Sequence, residues 1–295
     1  MLTASYLHSI IDGMKEGDFL FYDGQILRSD RLLISPNNRS YRYGDGCFET
    51  IKLLNGKIQL ANYHFERLIT SLELLHFKKS GYFTATWLEK QVLAVAEKNG
   101  HLESARIRLT VTRGEGGVYD EQNQFPYLLI QSWPLSSTVQ ELNENGLVID
   151  IYKDARKVVD RFSSIKSNSY LPYVMGALWA KEQQLNDAIL LNPYDRVADA
   201  TIANVFIVKD GQIKTPALTE GPVNGVMRRH LLQLFRKENI PVEEGVLTID
   251  ELMEASEIFL TNAIHGIRWV KQLGNSNYSN LLTQKLYQQL MKTMG

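Results

Sequence analysis

The sequence predicts an α/β (α+β) protein of two domains, and three observations carry that expectation. Apolar and polar residues alternate on either side of the pairs Asp23-Gly24, Asn55-Gly56 and Asp210-Gly211, each a signal for a tight antiparallel hairpin. Between these hairpins the apolar residues recur at helical spacing instead. The chain has 295 residues, 44% of them apolar and 22% charged, enough for one large core or two ordinary ones.

Phe19 to Leu33 reads as two short strands around Asp23-Gly24. Thr50 to Leu54 and Lys57 to Leu60 make a second hairpin. From Asn62, a candidate cap, Phe65, Leu68, Ile69, Leu72 and Leu75 mark a helix with Arg67 off its apolar stripe. A second helix covers Thr86 to Lys98 and stops at Gly100. Ile107, Leu109 and Val111 then alternate with Arg106, Arg108, Thr110 and Thr112, a half-buried strand ending at Arg113. Tyr127 to Trp133 is a further strand. Pro134-Leu-Ser-Ser-Thr is short, polar and proline-started, so residues 134–139 are read as the linker between an N-terminal α/β domain, 1–133, and a C-terminal one, 140–295. In the second domain the pattern gives a strand at Leu147 to Tyr152, a helix from Asn168 to Gln184, and a strand at Ala188 to Leu191 before the turn Asn192-Pro-Tyr-Asp. Val205 to Val208 and Gln212 to Lys214 flank Asp210-Gly211. Met227 to Lys237 reads as a helix, Thr248 and Glu251 as a capping box, and Glu257 to Thr261 as a buried strand.

Formal net charge is −1, with basic and acidic residues interspersed, which gives no footprint for nucleic acid or an anionic membrane. A small-molecule partner is expected. The apolar stretch around Tyr173 to Ala180 is far shorter than the roughly 18–20 residues needed to span a bilayer. The opening MLTASYLHSIIDGMKEGDF lacks a secretory pattern, and the single cysteine suits a reducing, cytoplasmic setting. No metal is expected, because His8, His64, His76, His101, His230 and His265 are scattered without ligand spacing. Neither GxGxxG nor GxxxxGK[ST] occurs. Gly114-Glu-Gly-Gly117 reads as a flexible loop and Cys47 as a small packed side chain.

Tyr43-Gly-Asp-Gly-Cys-Phe-Glu-Thr50 resembles the YGDGxFET signature of the class IV (fold-type IV) pyridoxal-5′-phosphate (PLP) enzymes. These include branched-chain and D-amino-acid aminotransferases and 4-amino-4-deoxychorismate lyases. Further matches follow in family order: His64-x-x-Arg67-Leu, Thr112-Arg113-Gly114, Lys166-Ser-x-x-Tyr170, Asp199 with Asn204-Val-Phe206, Thr215-Pro216, Gly225-Val-Met-Arg228 and Glu257-Ile-Phe-Leu-Thr-Asn262. The resemblance spans almost the whole chain. It implies a fold-type IV enzyme, with PLP in the cleft between two domains, and a homodimer.

The resemblance makes Lys166 the lysine that carries PLP as a Schiff base, a role that requires its pKa to be lowered so that the amine is partly neutral. Arg67 becomes the phosphate-binding arginine, suited to a two-pronged grip. Gly225 opens a helix whose backbone amides at Val226 and Met227 add to phosphate binding. Asp199 stands where the family has a glutamate against the pyridine nitrogen, one methylene shorter in reach. Tyr170 would meet the ring's phenolic oxygen. Asn262 and Ala263, where many aminotransferases have Gly-Thr, complete the cofactor contacts, while Tyr43 and Arg113 are the substrate contacts, with Arg106 and Arg108 alternatives to Arg113.

Three stretches are similar to lyase sequences: Gly44 to Phe48, Val223 to Arg228, and Asn262-Ala263. The expected activity is therefore 4-amino-4-deoxychorismate lyase of the folate pathway, releasing 4-aminobenzoate and pyruvate. A branched-chain or D-amino-acid aminotransferase is the alternative. A PLP-binding protein without catalysis is a third reading, motivated by Asp199 and by Asn38 before Arg39.

Overall fold

The computed structural model describes residues 17–32 and 34–294. Leu33, His8 and the first sixteen positions of the opening segment lie outside the described residues. The first hairpin pairs β1 (Phe19–Tyr22) with β2 (Gln25–Arg28). A short α1 (Arg39–Tyr43) follows, capped by Asn38, whose Oδ1 accepts from the backbone of Ser40 and Tyr41. β3 (Gly46–Leu54) turns back into β4 (Lys57–Ile58). β3 starts earlier than alternation suggests, and Gly46 is the reason. At φ 143 a Cβ there would lie 2.1 Å from the Val111 carbonyl oxygen, so only glycine lets the strand begin so close to its neighbour.

α2 (Ala61–Leu74) begins one residue before Asn62, which is therefore not its cap. Leu60 takes that position in a left-handed conformation, with no side-chain cap, and packs its side chain on the apolar cluster around Phe206, Phe235 and Phe259. Apolar burial outweighs a cap hydrogen bond there. α3 (Ala85–Lys98) is capped by Thr84 Oγ1. β5 (Ser104–Thr112) and β6 (Tyr127–Pro134) complete an antiparallel six-stranded sheet in the order β2-β1-β6-β5-β3-β4. Its two faces differ. Ile51, Leu53, Ile107 and Leu109 pack against Leu68 and Leu72 of α2 and Leu88 and Val92 of α3. The other face carries Phe48, Thr50 and Lys52 of β3 opposite Thr110, Arg108 and Arg106 of β5. Pro134 closes β6, and a 3-10 turn spans Ser137–Gln140.

The second sheet is mixed. It contains β7 (Leu147–Arg156), then, after α4 (Leu171–Glu182), β8 (Asp187–Leu191), β9 (Val197–Ala200), β10 (Asn204–Lys209) and β11 (Gln212–Pro216). After α5 (Val226–Lys237) come β12 (Val242–Gly245), α6 (Ile249–Glu254), β13 (Glu257–Asn262), β14 (Gly266–Leu273), β15 (Ser276–Asn277) and α7 (Leu281–Thr293). The order is β12-β11-β10-β13-β14-β7-β8-β9, with β15 on β14. Thr248 and Glu251 form the expected capping box at the start of α6. No described helix is long and apolar enough to cross a membrane.

One departure from the pattern positions the site. α4 starts at Leu171 rather than Asn168, because residues 166–168 are drawn to the edge of the first sheet. Phe48 N donates to the Lys166 carbonyl at 2.9 Å, and Asn168 N to the Gly46 carbonyl at 3.0 Å. Helix formation cannot continue through residues whose backbone groups are already paired to a strand.

Candidate active site

That edge pairing holds the Lys166 amine, half-buried, against aromatic rings. Its Nζ lies 4.6 Å from the centre of the Phe48 ring and 5.4 Å from that of Tyr170. Burial and then the Arg67 charge lower its pKa from the usual 10.5 to about 7, while Glu49 and Asp199 pull the other way. A large fraction is thus neutral near pH 7, as attack on an aldehyde requires. Phe48 meets Tyr170 edge-on at 5.4 Å, and Tyr170 stacks on Tyr173 at 4.1 Å. The Tyr170 hydroxyl donates to the Thr201 carbonyl at 3.2 Å, so it donates to a cofactor only by leaving that bond.

Arg67 sits on the buried face of α2. Its Nε donates to Glu49 Oε1 at 2.8 Å, Nη2 to Glu49 Oε2 at 2.5 Å, and Nη1 to the Asn224 carbonyl at 2.9 Å. Burial alone would raise the Glu49 carboxyl, but Arg67 and His64 hold it at about 2. His64 is buried and its pKa is lowered by that burial. Its Nδ1–H donates to Glu49 Oε2 at 2.6 Å, and its Nε2 is buried with no partner. Asn224 leads directly into Gly225, which caps α5. A Cβ at Gly225 would lie 1.8 Å from Asn204 Oδ1, so glycine is obligatory where the chain turns into the helix. Arg67 therefore reaches the loop that feeds the open N–H groups of Val226 and Met227, a place suited to a phosphate.

Asp199, on β9, is 2% exposed. Its Oδ2 accepts from Tyr173 Oη at 2.9 Å and Val223 N at 2.8 Å, and its Oδ1 from Asn204 Nδ2 at 2.9 Å. Burial raises its pKa to about 6, and the nearby Lys157 charge and these donors limit the rise. Lys157 Nζ itself donates to the carbonyls of Ser163 and Gly221, both at 2.7 Å. A carboxylate oxygen with a single donor still has room for another.

An amine poised for an aldehyde, an arginine beside a helix N-terminus and a buried carboxylate are the three contacts that PLP requires. Residues 223–225 link two of them, since Val223 N binds Asp199 and the Asn224 carbonyl binds Arg67. The residues present fit that cofactor.

Other expected site residues are placed differently. Arg113 is 6% exposed and its guanidinium is fully engaged: Nε on Asp45 Oδ2 at 3.0 Å, Nη1 on Gln124 Oε1 at 3.0 Å, Nη2 on the Leu75 carbonyl at 2.5 Å. It fastens the loop after β5 to the end of α2, and Arg108 faces the site instead, 4.0 Å from the Phe48 ring centre. Tyr43 is 44% exposed, with the Arg42 guanidinium 5.1 Å from its ring centre. Asn262 turns inward on its own loop, Oδ1 accepting from Ile264 N and His265 N, with Ala263 between them in sequence. Cys47 is buried and burial pushes its thiol up to about 12, as befits a packed side chain. Sequence reasoning assigned no role to Glu49, Lys157 or Tyr173. Only Glu49 left a signal, as a lone acid on the inward-facing side of β3 with Ile51 and Leu53.

Residues 46–273 match the model of the family described as Amino-transferase class IV. An aminodeoxychorismate lyase of Vibrio harveyi is 28% identical over 232 residues, 78% of this chain and 83% of the relative. A D-alanine aminotransferase of Listeria innocua is 27% identical over 256 residues, 81% of this chain and 83% of the relative. The branched-chain aminotransferase of the thermophilic archaeon Thermoproteus uzoniensis, solved with norvaline, superposes with a TM-score of 0.84 at 24% identity, covering 96% of this chain and 95% of that one. At that identity the likeness is one of fold.

Proposed function

The chain belongs to the class IV amino-transferase family, and from that premise we propose that it is a PLP-dependent 4-amino-4-deoxychorismate lyase, forming 4-aminobenzoate and pyruvate. The observation that carries a PLP reading is the Lys166 amine, held between Phe48 and Tyr170 with its pKa near 7. When bound, the cofactor supplies an aldehyde for the substrate amine and a protonated ring that withdraws electrons. Lys166 would hold the cofactor through its amine, and that amine, once free, would be the base that moves the proton. Arg67 and the start of α5 would hold the phosphate. Asp199 would hold the ring nitrogen and keep it protonated. Phe48 and Tyr170, whose rings flank the Lys166 amine, would exclude water there.

The lyase reading is supported by the relative from Vibrio harveyi and by the arginine-bearing face of the first sheet, which suits an anionic substrate. The aminotransferase relatives keep the second reading alive, since the same lysine serves both reactions. As parts of this proposal, the enzyme acts in the cytoplasm, within folate synthesis, as a homodimer. The test is to give the purified holoenzyme aminodeoxychorismate in one assay and an amino acid with 2-oxoglutarate in another. Release of pyruvate and 4-aminobenzoate without an acceptor supports the lyase; keto-acid exchange alone overturns it.

A further inference from the structure

Lys157 is a buried cation that none of the proposed cofactor contacts includes. It follows directly on β7, is 8% exposed, and has no ion pair among the described residues. Its Nζ donates to the carbonyls of Ser163 and Gly221, both at 2.7 Å, which satisfies two of its three protons but leaves its charge unmatched at contact distance. A buried charge is costly unless an anion nearby offsets it. Burial lowers the Lys157 pKa, and Asp199 first, then Asp160, pull it back. In turn Lys157 is the first of the influences that hold the Asp199 carboxyl down against burial.

The two carbonyls belong to two loops that meet at the site. Ser163 lies in the turn that runs from β7 to Lys166, closed on itself by Asp160, whose Oδ1 accepts from Phe162 N at 2.8 Å and Ser163 Oγ at 2.9 Å. Gly221 opens the stretch whose Val223 N binds Asp199 and whose Asn224 carbonyl binds Arg67. Asn224 N donates to the Ser164 carbonyl at 3.0 Å, so the loops are joined at two points, with Lys157 at one and Asn224 at the other. They pass closely there: at φ 90, a Cβ on Gly221 would lie 2.9 Å from the Val158 carbonyl oxygen.

Tyr173 links Lys157 to Asp199. Nζ lies 5.4 Å from the centre of its ring, and its hydroxyl donates to Asp199 Oδ2 at 2.9 Å. The other titratable groups coupled to Asp199 cannot balance its charge. Tyr170 and Tyr173 stay neutral, since burial raises both phenols. Arg228 is paired with Glu244 at 2.8 Å, and Lys166 gives up its charge near neutrality.

We infer that Lys157 is a positioning residue for this site: it fastens the loop that delivers Lys166 to the loop that serves Asp199 and Arg67, and it is the counter-charge of the Asp199 carboxylate. The inference rests on the reading of Asp199 as the partner of the ring nitrogen. A proton shared by that nitrogen and Asp199 then lies on the nitrogen, because a cation near the carboxylate favours its charged form.

Carbon NMR of the full chain labelled at its aspartate carboxyls tests it, with the Asp199 signal assigned by its absence from Asp199→Asn. In the cofactor-free protein that signal should titrate at about 6. Lys157→Met and Lys157→Gln should move the midpoint up by about one pH unit or more, roughly a tenfold gain in proton affinity, and Lys157→Arg should keep it in place. Glutamine retains N–H donors for the two carbonyls without the charge, so it separates counter-charge from fastening and serves if the methionine variant does not fold. An unmoved midpoint in Lys157→Gln, or an equal rise in Lys157→Arg, overturns the inference. Reconstitution with pyridoxal phosphate isotopically labelled at the ring nitrogen tests the underlying reading separately. A nitrogen signal unchanged by Asp199→Asn overturns that reading, while the carboxylate titration still decides the role of Lys157.

Discussion

The Arg67 guanidinium meets the Glu49 carboxylate in a two-pronged ion pair, Nε to Oε1 at 2.8 Å and Nη2 to Oε2 at 2.5 Å, with both side chains buried. Glu49 thus orients the arginine proposed to hold phosphate, and His64 braces Glu49. Glu49→Gln leaves Arg67 without its counter-charge. Removing one partner of a buried pair costs about 3–5 kcal/mol, so urea unfolding of the variant should show a loss of that order. Cofactor retention through gel filtration, followed by visible absorption, should fall as well. Full retention would show that Glu49 does not position Arg67.

Without cofactor, Lys166 and Asp199 give opposite pH signatures. Lys166 titrates near 7 in the folded protein against 10.5 for the ordinary group. Between those values the unfolded chain holds the extra proton, so stability rises with pH, by about 1.4 kcal/mol per unit at most. Asp199 titrates near 6 against 3.8. Across that lower window the folded chain holds the extra proton, so stability falls as pH rises. Lys166→Met should erase the upper slope and Asp199→Asn the lower one, measured as urea midpoints of the cofactor-free proteins. Slopes that persist in the variants would refute these assignments.

Gly225→Ala places a methyl group within 1.8 Å of Asn204 Oδ1. Asn204 also binds Asp199 and the Val223 carbonyl, so the clash spreads to the carboxylate and to the start of α5. Thermal unfolding should shift down by several degrees, on the order of a 1–3 kcal/mol overpacking cost, and cofactor should wash out. Unaltered melting and retention would contradict the tight turn described.

Arg108 and Arg113 should separate cleanly. Arg113→Gln breaks the contacts to Asp45, Gln124 and Leu75 and should lower thermal stability with little change in KM. Arg108→Gln should raise KM by about tenfold or more, the value of a charge-assisted hydrogen bond, with little loss of stability. The reverse pattern would restore Arg113 to substrate binding.

Most strands and helices were legible because periodicity reports which face is buried, and the hairpins because Asp-Gly and Asn-Gly demand a particular turn. β9, β12 and β14 were not, being short or mixed in pattern without such a turn pair. Lys166, Arg67, Asp199 and Gly225 were legible only through their company in ordered motifs. Nothing in the chain around Lys166 announces a lowered pKa; that comes from burial and then Arg67, which the fold assembles. Arg113 and Arg108 show the converse limit. Both belong to one strand pattern, yet Arg113 comes after the last residue of β5 and turns back to Asp45, while Arg108 lies mid-strand and projects from the face that carries Phe48.

Lys166 is proposed as the residue to which pyridoxal phosphate is joined. Borohydride reduction of the purified holoenzyme, followed by proteolysis and mass mapping, tests it directly. One phosphopyridoxyl group is expected, on the peptide containing Lys166, and none after Lys166→Ala. An unmodified Lys166 peptide in protein that shows the cofactor's absorption, or modification at another lysine, would contradict it.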